Sequence, residues 1–149
     1  RIMTLTIRDP IESDEAAWRK LWAGYLAFYK TEVPEEVTAF TWARILDPSS
    51  RVSMRVAEEG GKLLGFAIHH YHDSPWDIAP EGYLEDLYVD EDIRGKGVGR
   101  ALVDDLVVIS KRHGWRGIYW HTNEDNARAR KLYDSYVQSD GHIRYRLKT

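Results

Sequence analysis

Early in the chain, apolar residues recur at Trp18, Leu21, Trp22, Tyr25, Leu26 and Tyr29, the three- and four-residue spacing that lines one face of a helix. Ser13 or Asp14 stands before that stripe as an N-cap, and Thr4-Leu5-Thr6-Ile7-Arg8 alternates as a half-buried strand ended by Pro10. A second, shorter helix is predicted from Pro34-Glu35-Glu36, residues suited to a first helical turn. It runs through Val37, Phe40, Ile45 and Leu46 to a stop at Asp47-Pro48.

The period then changes to two. Residues 51–58 and 62–72 read as strands joined at the turn Glu59-Gly60-Gly61, and residues 82–89 form another after the loop 73–80. Val98, Leu102, Leu106 and Ile109 return to helical spacing until Gly114 stops them. Ile118 to His121 is a short strand, Asn123 or Asp125 can cap a helix through Ala127, Ala129, Leu132 and Tyr133, and 142–147 alternates as a final strand. Antiparallel strands followed by a strand–helix–strand crossover imply an α/β fold of mixed α+β character, a mixed sheet with helices on both faces. No linker or repeat divides the chain, so residues 1–149 are expected to form one domain.

Composition narrows the chemistry. The absence of cysteine removes disulfides, thiolate metal sites and a cysteine nucleophile. Apolar runs fall far short of the ~18 residues that span a bilayer, and the N-terminus lacks a signal-peptide pattern, so a cytoplasmic protein without membrane partners is expected, starting at Met3. Net charge is −3, but residues 1–93 carry nine Lys/Arg against eighteen Asp/Glu, whereas 94–131 carry nine against four. An acidic front and a basic segment argue against a nucleic-acid partner and suit a protein that grips an anion with one part and a cation with the other. His69, His70 and His72 resemble a metal cluster, but alternation separates His69 from the other two and no metal site is expected.

The most distinctive segment is Arg94-Gly95-Lys96-Gly97-Val98-Gly99-Arg100, lying between a strand and a helix. Three glycines in five residues let backbone N–H groups converge on one point, and the helix after them adds its positive end, which together make an anion cradle. It is not a P-loop, because Gly99 is followed by Arg100 where that motif needs Lys-Ser/Thr, and the same arginine spoils a dinucleotide fingerprint.

Arg94, Gly97 and Gly99 match the Gln/Arg-x-x-Gly-x-Gly/Ala motif of the GNAT acetyltransferases, and Asn126-Ala127-Arg128-Ala129-Arg130-Lys131-Leu132-Tyr133 resembles their second motif. Tyr83 to Val89 is similar to their fourth strand, so the resemblance covers roughly residues 4–147. It implies a sheet splayed between the fourth and fifth strands, with acetyl-CoA as co-substrate. Backbone groups of Arg94, Gly95, Lys96, Gly97, Val98, Gly99 and Arg100 would hold the pyrophosphate, and Leu87, Tyr88 and Val89 would pair with pantetheine. A bulge near Leu87 would aim an N–H at the acetyl carbonyl.

Asn126 would bind pantetheine or order the helix after it. Tyr133 matches the family's general acid, with Tyr136 its weaker neighbour. Glu85 is the first choice for the group that relieves the incoming amine of its proton, with Asp86 and His121 as alternatives. The expected reaction is direct acetyl transfer to a primary amine, foremost a small cationic molecule such as a polyamine, with Glu32, Glu35, Glu36, Asp73 and Asp77 as its wall. An amino acid, an antibiotic or a protein amine is the alternative, as is a sensor that binds acetyl-CoA without turnover. Surplus apolar surface on the first helix and last strand, and the pairing of relatives near the C-terminus, predict a homodimer.

Overall fold

A computed structural model describes residues 4–149; the expected start at Met3 lies outside them. The elements in order are β1 (Thr6–Arg8), α1 (Glu15–Phe28), α2 (Glu35–Leu46), β2 (Ser53–Glu59), β3 (Lys62–His72), β4 (Glu81–Val89), α3 (Val98–His113), β5 (Ile118–Trp120) and α4 (Ala127–Asp134). Single turns of 3₁₀ helix at Glu12–Asp14 and Glu91–Ile93 lead into α1 and away from β4. The sheet runs β1-β2-β3-β4-β5, antiparallel throughout except for the parallel pair β4–β5.

Each face of the sheet has its own core. Trp18 and Leu21 of α1 and Trp42 and Ile45 of α2 pack on Val56, Phe66, Ile68 and Tyr88, with Trp18 fully enclosed. On the other face α3 presents Val98, Leu102, Val103 and Leu106 to Ala57, Leu64, Ala67 and Leu84. On α1 and α3 these are the stripes that the spacing predicts, because a period of 3.6 aims one set inward, whereas α2 buries Thr38, Trp42 and Ile45 and leaves the expected Val37 and Phe40 exposed. Arg8 fastens the first element by bridging Asp14 at 2.8 Å and Glu58 at 2.8 Å.

Two irregularities in β4 open and re-aim the middle of the sheet. The β4–β5 ladder covers only Gly82↔Ile118, Tyr83↔Tyr119 and Leu84↔Trp120, after which β4 continues for five residues with no strand on that side. The expected splay between fourth and fifth strands is this opening. On the opposite edge, Ile68 faces Asp86 while His69 faces Leu84, so Glu85 is an extra residue and the bulge sits there, two positions before the expected Leu87. Beyond the bulge, Asp86 turns to the α1 face.

Three expectations need correction. The final strand at 142–147 does not form: no ladder includes it, and Ile143, Tyr145 and Leu147 stand in solvent. Its alternation is that of a strand, but a strand exists only against a partner edge. The cap of α4 is Asn126, neither Asn123 nor Asp125; its side-chain oxygen accepts the Ala129 N–H at 3.2 Å. Asp14 precedes α1 without capping it, since its carboxylate is committed to Arg8 and to the Ile11 N–H.

Candidate active site

The glycine loop opens onto the splay. Gly97 is the N-cap of α3 with φ of 81°, a left-handed conformation that glycine adopts without strain, and a Cβ there would point into open space. The first helical turn has no side-chain cap and no acidic residue, and its first bond runs from the Ala101 N–H to the Gly97 carbonyl at 3.0 Å. The N–H groups of Val98, Gly99 and Arg100 therefore find no backbone partner among the described residues. Unpaired amides, the positive end of a sixteen-residue helix and no nearby carboxylate favour an anion. Arg94 anchors the loop, its Nε donating to the Val89 carbonyl at 3.2 Å and its guanidinium lying 5.4 Å from the Tyr88 ring centre.

From this loop a cavity of about 640 Å³ extends along the free edge of β4, past Leu87, Tyr88 and Val89. One wall is α1, through Tyr25, Phe28 and Tyr29; the other is α4, through Asn126, Leu132 and Tyr133. Tyr133 packs edge-on to Trp120, with ring centres 5.4 Å apart. Burial pushes its phenol up to about 12, so it carries its proton at neutral pH. The phenol of Tyr25 donates a 2.6 Å hydrogen bond to Asp86 Oδ1. Burial raises the Asp86 carboxyl to about 6, against the stabilising bond from Tyr25 and with added repulsion from Glu85.

Next to the cavity, the α1 side of the sheet carries a polar aromatic strip. Tyr83 stacks on Tyr119 with centres 4.8 Å apart, and His121 meets the edge of Tyr83 at 5.7 Å. His70 Nε2 lies 2.7 Å from Glu85 Oε1, and His72 Nε2 lies 2.9 Å from the Tyr119 hydroxyl. His69 points to the other face and packs against Trp115. Among the described residues no three His, Asp or Glu side chains converge as metal ligands.

The same fold recurs in known proteins. The model of the acetyltransferase (GNAT) family matches residues 15–136. The chain belongs to the GNAT family. A D-amino-acid N-acetyltransferase of Saccharomyces cerevisiae is 36% identical over 135 residues, covering 89% of this chain and 84% of the relative. An aminoglycoside N(6')-acetyltransferase of Stenotrophomonas maltophilia is 31% identical across 74% of this chain and 71% of its own. Among solved structures, a ribosomal-protein-alanine N-acetyltransferase from Brucella melitensis superposes with a TM-score of 0.81 at 22% identity, over 98% of this chain and 100% of that one. An aminoglycoside N-acetyltransferase in complex with CoA superposes with 0.78 at 22%, over 100% and 98%. The protein is an acetyl-CoA-dependent N-acetyltransferase.

Within this GNAT domain, eleven of the residues singled out from the sequence line the one cavity: Leu87, Tyr88, Val89, Arg94, Gly95, Gly97, Val98, Gly99, Arg100, Asn126 and Tyr133. Lys96 projects into solvent, and Glu85 lies outside the lining, exposed and beside His70. Tyr136 is turned away, its hydroxyl bonded to Asp104 at 2.6 Å. Tyr25, Phe28 and Tyr29 are wall residues that their spacing assigns only to a helix face. The pair Tyr25 and Tyr29, one helical turn apart at the rim of the apolar stripe, is the signal that could have marked them.

Proposed function

We propose that acetyl transfer takes place where Tyr25, Asp86 and Tyr133 meet the free edge of β4, with the cofactor's pyrophosphate on the amides of the glycine loop. The loop fits an anion because its glycines leave the cradle open and no acid stands in the first turn of α3. Acetyl-CoA supplies a thioester whose C–S bond breaks as the acceptor nitrogen forms the amide. Tyr133, protonated and half-enclosed at the cavity wall, gives its proton to the departing sulfur. Backbone N–H groups of β4 near Leu87 support the acetyl oxygen.

The observation that carries the reading is the Tyr25–Asp86 bond. An alkylamine with a pKa of ~10 arrives protonated and must lose that proton before it can attack. Tyr25 lines the cavity and is bonded to a carboxylate whose pKa of about 6 makes it a better base than an exposed aspartate. A proton passed from the amine to the Tyr25 oxygen moves the Tyr25 proton on to Asp86. This reading takes Asp86 as the proton acceptor in place of Glu85, which is exposed and contacts His70.

The acceptor we favour is a small cationic amine. Glu85 and Asp86 follow one strand beside the stacked faces of Tyr83 and Tyr119, a setting that attracts cations, whereas Glu81 is paired with Arg116 at 3.9 Å. The wider acidic wall is weaker than the sequence suggests, because Glu35 is paired with Arg19 at 2.7 Å. A second reading, an amino-acid acceptor, draws on Arg144 and Arg146, whose charges reach the Tyr83 phenol and suit a carboxylate. The similarity to a D-amino-acid N-acetyltransferase points the same way. Turnover with spermidine, D- and L-amino acids and an aminoglycoside, read as CoA release, separates them. Release of CoA with none of these amines would contradict both readings.

A further inference from the structure

Four aromatic rings stand in one column between α2 and the cavity. Trp42 of α2 stacks on Trp18 with ring centres 5.3 Å apart, Trp18 on Trp22 at 5.4 Å, and Trp22 on Tyr25 at 5.5 Å, each pair of planes within 28° of parallel. The last three residues follow the four- and three-residue steps that put side chains on one face of α1. The column starts in the core, where Trp18 and Trp42 are buried, and ends at the Tyr25 hydroxyl on Asp86.

Among the described aromatic neighbours of Tyr25, only Trp22 lies face to face with its ring. Tyr29, Tyr88 and Phe66 meet that ring edge-on, at 68°, 70° and 72°. Trp22 is itself held by contact between rings, since the Nε1 donors of Trp18 and Trp22 are buried without a hydrogen-bond partner among the described residues. A buried N–H left unpaired is a cost, so these rings sit where they stack and not where they would hydrogen-bond. Gly24 brings α1 down onto β4 beside the column, because a Cβ there would collide with the Tyr88 hydroxyl.

Given proton removal by Tyr25 and Asp86, we propose that Trp22 is a positioning residue for acetyl transfer: backed by Trp18 and Trp42, it holds the Tyr25 hydroxyl on Asp86. Trp22 lies outside the cavity lining, so it acts on the acceptor only through Tyr25. A Tyr25 oxygen displaced by about an ångström loses both its reach to the acceptor nitrogen and its line to Asp86, and misplacement on that scale costs ~10²-fold in rate. The column also makes α2 a support of the site, although no α2 residue lines the cavity.

Trp22→Met and Trp22→Leu remove the flat face and keep an apolar side chain, whereas Trp22→Phe keeps a flat face. In the first two, kcat for amine acetylation is expected to fall by ~10²-fold while the KM for acetyl-CoA stays within a few-fold, and Trp22→Phe is expected to restore most of the rate. In a Tyr25→Phe background, Trp22→Met should cost nothing further. Independently of activity, the Asp86 carboxyl can be titrated by carbon-13 NMR and assigned by its loss in Asp86→Asn. Burial raises that group and the bond from Tyr25 holds it down, so its midpoint should be about 6 in wild type and higher in Trp22→Met. Tyr29, Glu85 and His70, the other groups that bear on Asp86, are unchanged in the variant. A midpoint that rises in neither Trp22→Met nor Trp22→Leu, or an equal loss of rate in Trp22→Phe, would overturn the proposal. A midpoint that rises while kcat holds would uphold the grip of Trp22 on Tyr25 and overturn instead the role of Asp86 as base.

Discussion

The Tyr25 hydroxyl donates to Asp86 across 2.6 Å, tying α1 to β4 at the first residue past the Glu85 bulge. This contact places a half-buried carboxylate directly behind a cavity-lining phenol. Its energetic signature is a cost: the folded protein holds Asp86 at about 6 where an unhindered aspartate titrates at 3.8. A group raised on folding contributes stability that is full below its unfolded pKa and is lost as pH climbs through the folded value.

Asp86→Asn is therefore expected to stabilise the fold above pH 6, because the amide can accept the Tyr25 bond without a buried charge. The shift of about 2 pKa units sets an upper scale on the order of 2–3 kcal/mol. Thermal melts of both proteins at pH 5 and pH 8 check this. The gain in Tm should be full at pH 8 and about half as large at pH 5, because the cost builds up between 3.8 and about 6.

Gly97 allows the cradle to be tested without simply breaking the fold. A β-branched residue would be strained at φ of 81° whatever the ligand does, but asparagine tolerates that region. Gly97→Asn is expected to stay folded and to lose most of the thermal stabilisation by acetyl-CoA, because the added side chain enters the space above the free amides. Undiminished stabilisation would place the pyrophosphate elsewhere.

Tyr133→Phe removes one hydroxyl from the cavity wall. If that hydroxyl protonates the sulfur, kcat should fall by ~10²–10⁴ while the KM for acetyl-CoA stays within a few-fold. Equal changes in both constants would make Tyr133 a packing residue against Trp120.

For a polyamine, kcat/KM is expected to decline as salt rises, because the exposed Glu85 acts across solvent in which charges are screened over about 8–10 Å. A salt series with spermidine checks it. A neutral amine measured in parallel should show little dependence.

Much of the fold and of the site was legible in the sequence, and the reasons are local. The bounds of α3 follow from Val98, Leu102 and Leu106 at helical spacing and from Gly114, which closes it with a positive φ of 69°. The glycine loop is contiguous, so its chemistry shows in a single stretch of chain. What depended on distant partners did not show. Counting alternation along β4 assigns Asp86 to the wrong side because the extra residue at Glu85 shifts the register, and that shift is set by pairing with Ile68 and His69 on β3. Tyr25 and Tyr29 carry the same pattern as core residues, and only the splay beside β4 makes them a wall. The tail has the pattern of a strand, but pairing is a property of two edges.

The most direct measurement is the pH dependence of kcat/KM for amine acetylation, wild type against Asp86→Asn. The assigned roles predict a wild-type rate that falls below pH 6 as Asp86 becomes protonated, and a variant slower by ~10²–10⁴ at neutral pH that has lost that limb. An Asp86→Asn enzyme with wild-type rate and an unchanged acidic limb would contradict the account.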